Sequence, residues 1–162
     1  GEDGGLQRSS FALPEDVEFE FGGGGLYGTA RDYLAFTRMI LGQGSLKGTR
    51  VLRPETVALM GQNHLGPLRV AEMHAASAIT RDSNFWPGMP CTWGLSFLIN
   101  TARTPQGRSA GSLAWAGLAN TYYWIDPVKH ITGVFCTQIL PFFDAQAIGL
   151  FREFETTVYR SL

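Results

Sequence analysis

Ser112-Leu113-Ala114-Trp115-Ala116-Gly117-Leu118-Ala119-Asn120-Thr121, continued by Tyr122-Tyr123-Trp124-Ile125-Asp126-Pro127, decides the fold. The stretch reads as a strand, a tight turn and a second strand. Trp115 and the aromatic run after it suit a pleated, half-buried surface, and Gly117 lets another group come close to the backbone. Two readings stay open at this point. Gly117 is a bulge or packing device, the commoner use of an isolated strand glycine, or the strand faces a ligand.

Working outward, the turn Asp126-Pro127-Val128-Lys129-His130 leads into a further strand over 131–138. Upstream, Thr92-Trp93-Gly94-Leu95-Ser96-Phe97-Leu98-Ile99-Asn100 partly alternates and reads as one strand, followed by a polar turn or hairpin tip, Thr104-Pro105-Gln106-Gly107-Arg108. Consecutive strands with short turns make an antiparallel meander. A terminal helix begins at about Asp144, with Ile148, Phe151, Phe154 and Val158 along one apolar face. Toward the N-terminus, Thr29 with Asp32 three positions later predicts a capped helix from about Ala30. Ala30, Tyr33, Leu34, Thr37, Ile40 and Leu41 keep its period, and Gly42 and Gly44 stop it. Residues 45–52 form a small turn, and Pro54 opens a second helix running to about Met60. From 62 to 90 no pattern holds, and a loop of that length in a compact domain is usually functional, a lid or a binding wall, or else disordered.

The expected class is therefore α+β, an antiparallel β-sheet with flanking helices, in one layer of helix on the sheet. Residues 1–20 form an irregular segment with Pro14 and the acidic group Glu15, Asp16, Glu18 and Glu20; residues 21–162 form the domain. Gly22-Gly23-Gly24-Gly25 precedes a helix without completing either phosphate-binding glycine pattern. Those glycines point instead to a sharp bend or a close backbone approach.

Composition narrows the function. The chain has 162 residues with a formal net charge of -1 and no basic run, so it lacks the cationic footprint of a nucleic-acid partner. No apolar run reaches the ~18–20 residues of a membrane span. Cys91 and Cys136 read as buried free thiols and leave the compartment open. The first residue is Gly1 rather than Met, as expected of a processed or recombinant piece in which Gly1 is a tag-cleavage scar. His64 and His74 have no Cys, Asp or Glu at ligand spacing and read as surface histidines. A metal-dependent hydrolase using His64, His74 and His130 is the weakest reading, and no metal or cofactor is called for.

Four segments in order carry a resemblance: Phe21-Gly22-Gly23-Gly24-Gly25-Leu26-Tyr27-Gly28-Thr29-Ala30-Arg31-Asp32-Tyr33, Val51-Leu52-Arg53-Pro54-Glu55-Thr56-Val57, Trp93-Gly94-Leu95-Ser96-Phe97, and Trp115-Ala116-Gly117 through Trp124-Ile125-Asp126-Pro127. From about Phe21 onward the chain resembles the C-terminal half of the serine β-lactamase-like superfamily, which includes class C β-lactamases, D-alanyl-D-alanine carboxypeptidases and family VIII esterases. The resemblance implies a site built from a Ser-x-x-Lys nucleophile, a Tyr-x-Asn or similar element, and a Lys-Thr-Gly or equivalent triplet on a strand edge. Trp115-Ala116-Gly117 is similar to that triplet in the Trp-x-Gly form of the esterase branch. It implies a substrate-binding and oxyanion wall of Trp115, Ala116, Gly117 and Leu118, the Leu118 N–H being one of two oxyanion donors. Trp115 in place of a lysine favours an ester over a carboxylate-bearing β-lactam.

The other two elements are missing from the sequence. Residues three before Lys47 and Lys129 are Gly44 and Asp126, and none of Tyr27, Tyr33, Tyr122, Tyr123 or Tyr159 is followed two positions later by Asn. The resemblance then implies a C-terminal fragment of an acyl-serine hydrolase whose N-terminal half is absent. Such a fragment has no catalytic residue of its own and is expected to be inactive alone, because no serine has its activating base. Uncovered sheet and helix surfaces would favour a homodimer. The alternative is a non-catalytic ligand-binding or assembly module that keeps the fold.

Overall fold

In chain order the elements are α1 (Ala30–Leu41), β1 (Ser45–Leu46), β2 (Thr49–Arg50), α2 (Pro54–Met60), β3 (Cys91–Trp93), β4 (Leu98–Asn100), β5 (Leu113–Gly117), β6 (Thr121–Asp126), β7 (Ile131–Phe135) and α3 (Ala145–Arg160). They are taken from a computed structural model that describes residues 5–10, 12, 16, 18–19 and 23–162. Pro14, Glu15, Glu20, Phe21 and Gly22, named above, lie outside the described residues. β3 to β7 form one antiparallel sheet in sequential order, and β1 pairs with β2.

Local chemistry sets the helix limits. Thr29 Oγ1 accepts from the Asp32 N–H at 3.2 Å while the Asp32 carboxylate accepts from the Thr29 N–H at 3.0 Å, a reciprocal cap that opens α1. At its other end Gly44 has φ +88°, and a Cβ there would fall 2.2 Å from the Leu52 carbonyl oxygen. Only glycine lets the β1–β2 hairpin fold back so closely. At α3, Asp144 accepts from the Gln146 and Ala147 N–H groups.

The single strand expected over 92–100 is two strands. Gly94 N–H donates to the Phe97 carbonyl at 2.8 Å and Ser96 takes φ +79°, so the chain turns back and Trp93 pairs with Leu98. A Cβ on Gly94 would meet the Met60 carbonyl at 2.1 Å, which is how this turn seats against the end of α2. β7 ends at Phe135 rather than near Gln138, because Thr137 leaves the sheet to donate to the Ala119 and Asn120 carbonyls.

Helices cover both faces of the sheet, not one. Met39, Ile40 and Val57 pack on Phe97, Ile99, Leu113, Tyr123 and Ile125. The opposite side chains of the same strands, Ala114, Tyr122 and Trp124, pack on Ile148, Phe151 and Tyr159 of α3. Strand alternation sends each of these sets to its own face, so the continuous apolar run Tyr122–Ile125 is buried on both.

α3 turns a different stripe inward from the one expected. Ala147, Ile148, Phe151, Glu155 and Tyr159 are buried, whereas Phe154 is 39% exposed. The reason is Arg108, read from sequence as part of a polar tip but only 1% exposed. Its Nε and Nη2 both donate to the Glu155 carboxylate, and its guanidinium lies over the rings of Trp86, Trp124 and Phe151. Asp126, also fully buried, accepts from the N–H groups of Ser109, Val128 and Lys129 and from the Tyr159 hydroxyl. Burial pushes its carboxyl up, yet these hydrogen bonds outweigh that and hold it below the usual range.

Residues 62–90 carry no named strand, but isolated bridges fasten the segment: Val70 with Cys91, Met73 with Ser83, and Thr80 with Phe142. Both cysteines are free; Cys91 is buried, while Cys136, expected inside, is exposed where the chain leaves β7. Among the described residues no helix is long and apolar enough to cross a membrane.

Candidate functional site

β5 loses one of its neighbours halfway along. β4 reaches only Leu113 and Ala114, whereas β6 pairs with every residue from Leu113 to Gly117. The edge of Trp115, Ala116 and Gly117 facing away from β6 therefore has no strand beside it among the described residues, and it offers backbone N–H and C=O groups to an incoming chain or carbonyl. Leu118, the first residue of the turn 118–120, is 39% exposed, and its N–H has no hydrogen-bond partner among the described residues.

Gly117 behaves unlike the packing glycines of this sheet. A Cβ on Gly133 would fall 2.1 Å from the Trp124 ring, so that strand glycine exists to admit the indole. A Cβ on Gly117 would meet only Thr121, at 3.5 Å, an ordinary contact, and no left-handed backbone is required there. Neither a bulge nor close packing accounts for the glycine.

The turn beside this edge is fixed. Asn120, fully buried at φ +56°, donates to the Ile139 and Pro141 carbonyls and accepts from the Tyr122 hydroxyl and the Asp144 N–H. Every hydrogen-bonding atom of its amide is engaged, an arrangement that specifies one turn geometry. Leu118 sits on a rigid support.

Aromatic rings wall the same edge. Trp115 meets Trp93 edge to face at 4.5 Å and Phe85 at 6.1 Å; Phe85 in turn meets Phe143 at 5.3 Å. Phe85 and Trp93 were not singled out from sequence as site residues, though an adjacent Phe85-Trp86 pair at the end of a long loop was the available signal. Opposite Trp115 on β6, Tyr123 meets Tyr33 at 5.1 Å with the rings tilted. Burial raises both phenols above their usual range.

The histidines lie elsewhere. His64 Nε2 is 2.9 Å from the Leu59 carbonyl, and His74 pairs with Asp82 across the 73–83 bridge. Among the described residues no group of three or more metal-ligating side chains is assembled. A groove of about 480 Å³, lined by Ile40, Val57, Gly61, Leu113, Ile125 and His130 among others, lies at the opposite end of β5 from Gly117.

Comparison with known proteins gives a family model described as Beta-lactamase, matching residues 2–153. The Mycobacterium tuberculosis protein Rv1367c is 35% identical over 124 residues, covering 74% of this chain and 29% of its own length. The lovastatin esterase of Penicillium rubens is 30% identical over 145 residues, covering 86% of this chain and 35% of the esterase. Among solved structures, a mutant simvastatin synthase from Aspergillus terreus superposes with TM-score 0.64 at 25% identity over 80% of this chain and 33% of that one. A beta-lactamase from Mycobacterium bovis has the same fold at TM-score 0.58 and 18% identity, over 82% of this chain and 44% of that one. The chain spans about a third of the length of the curated relatives described here.

Proposed function

The chain belongs to the beta-lactamase family, and from that premise we propose that it is the C-terminal part of a serine hydrolase that cleaves esters through an acyl-serine intermediate. Its contribution is one wall of the site. In the parent, a serine hydroxyl supplied by the N-terminal part attacks the ester carbonyl and gives its proton to a neighbouring base. The bond to the leaving alcohol breaks, the alkoxide takes that proton, and water then releases the acid and frees the serine. The Leu118 N–H donates to the oxyanion of each tetrahedral intermediate, and Gly117 keeps its approach open. Trp115 puts an uncharged ring where a cation would attract a carboxylate, which favours esters over β-lactams.

The observation that carries this reading is the unpaired β5 edge, with a glycine that neither packing nor turn geometry requires. The esterase named among the relatives points to the same ester chemistry. No Ser-x-x-Lys occurs in the sequence, so the isolated chain is inactive. The outer edge of β7 has no strand beside it among the described residues, a surface on which the isolated chain self-associates.

The test is hydrolysis of a chromogenic short-chain ester and a chromogenic cephalosporin by the isolated chain and by the parent, with intact-mass detection of an acyl adduct. Ester turnover with an adduct in the parent alone is the expected result. Turnover by the isolated chain would place a nucleophile within residues 1–162 and overturn the fragment reading. Inertness of the parent would leave the alternative, a non-catalytic module that keeps the fold. A compact monomer at micromolar concentration in light scattering would count against self-association.

A further inference from the structure

We infer that Phe85, Trp93 and Trp115 are the specificity wall of this site, selecting esters whose acyl group carries an uncharged aromatic ring; the inference rests on the ester-hydrolase reading above. All three residues are half-buried, and Phe85 and Trp93 both meet Trp115, the first residue of the unpaired stretch of β5. Trp93 stands edge to face on Trp115, and Phe85 is tilted toward Trp115 from the loop side. Rings held this way present both faces and edges, and a further ring joins such a cluster in the offset or edge-on arrangements that aromatic pairs prefer.

Hydrogen bonds within the chain hold the loop side of the wall. Arg152 of α3 donates to the Phe85 carbonyl at 2.9 Å. Next to it, the Trp86 N–H donates to Asn84 Oδ1 and the indole N–H to Gln106 Oε1. A preorganised wall avoids the cost of ordering side chains when substrate arrives.

Its charge is equally defined. The guanidinium of Arg108 lies over Trp86 rather than Trp93 or Trp115 and is held by Glu155 in the interior. The other nearby cation, Arg152, is turned to the Phe85 main-chain carbonyl rather than to the rings. A carboxylate on the acyl group would thus lose water against uncharged rings while both guanidiniums are already engaged, and that penalty discriminates against it.

The experiment compares kcat/KM of the parent for 4-nitrophenyl phenylacetate, 4-nitrophenyl acetate and the mono-4-nitrophenyl ester of succinate, which share one leaving group. Phenylacetate is expected to be preferred and the succinate ester to be poorest. Phe85→Ala is expected to lower the phenylacetate-to-acetate ratio about tenfold, the size of effect that losing apolar contact in a substrate pocket produces, and Phe85→Leu, which removes only the ring, about threefold. A general loss of fold would lower both rates and leave their ratio in place. Phe85→Leu keeps the apolar bulk and the Arg152 hydrogen bond to the main chain, so it decides the matter if Phe85→Ala does not fold. Turnover of all three esters with an unmoved ratio in Phe85→Leu overturns the wall and leaves the hydrolase reading standing. Absence of turnover and of an acyl adduct for every ester overturns the hydrolase reading itself.

Discussion

β5 and β6 are the two arms of one hairpin, and they are held in opposite ways. β6 is buried along almost its whole length, with Asn120 fixing its entry, Asp126 fixing its exit and Trp124 seated over Gly133. β5 shares its first residues with β4 and then runs on with one free edge, its last three residues half-buried. The strand proposed to meet substrate takes its order from its neighbour. Polar side chains that would otherwise be costly in the interior are concentrated where they hold β6 and the α3 face, whereas the open arm is held by its backbone ladder to β6 and by apolar side chains.

The difference can be attacked first where the frame is charged. Glu155→Ala leaves the Arg108 guanidinium buried without its carboxylate, and a loss of about 3–5 kcal/mol is expected in denaturant unfolding. Replacing both partners, with Arg108→Met and Glu155→Leu, is expected to recover most of that loss; failure to recover would mean the pair does more than neutralise itself. Next, Gly133→Ala forces a methyl into the Trp124 ring and is expected to cost about 1–3 kcal/mol, read in the same way. The sister substitution Gly117→Ala makes only an ordinary contact with Thr121 and is expected to stay within about 0.5 kcal/mol of the wild type while lowering ester turnover in the parent. Equal destabilisation by the two would abolish the distinction between the arms.

The smallest effect lies in the long segment. The Asp82 carboxylate accepts from the Ala75 N–H and is paired with His74, which lowers its pKa from the ordinary 3.8; the same partner raises that of His74 from 6.5. The contact contributes fully between those ordinary values. It weakens as pH rises through the raised His74 pKa and as pH falls through the lowered Asp82 pKa. Both groups are exposed, so the expected readout is local: amide-exchange protection across Met73 and Ser83, corrected for the intrinsic pH dependence of exchange, is greatest in that window. A flat corrected profile would mean that the bridge holds without the ion pair.

What the sequence displayed was whatever is local. The Thr29/Asp32 cap, Pro54 at a helix start, Asp144 at another, and the hairpin around 118–120 are each specified by neighbours a few residues apart. Arg108 and Glu155 are 47 residues apart, so nothing near either one announced that a charged residue belongs on the buried stripe of α3. The split of 92–100 was hidden because Gly94-Leu95-Ser96-Phe97 lacks the Asn-Gly or Asp-Gly signature of a two-residue hairpin, and its apolar residues suit a strand. Trp115 to Leu118 stand out in the sequence through a motif, whereas Phe85 and Trp93 come beside Trp115 through packing between distant segments.

The hydrogen bond from Arg152 to the Phe85 carbonyl has a consequence for the order of events on the ribosome. The two residues are 67 positions apart, and translation delivers Phe85 first. At typical elongation rates, roughly 3–13 seconds pass before Arg152 follows it. Phe85 thus emerges early and is fastened late, by the last helix in this sequence. Truncations within α3 would therefore loosen a residue translated well before them.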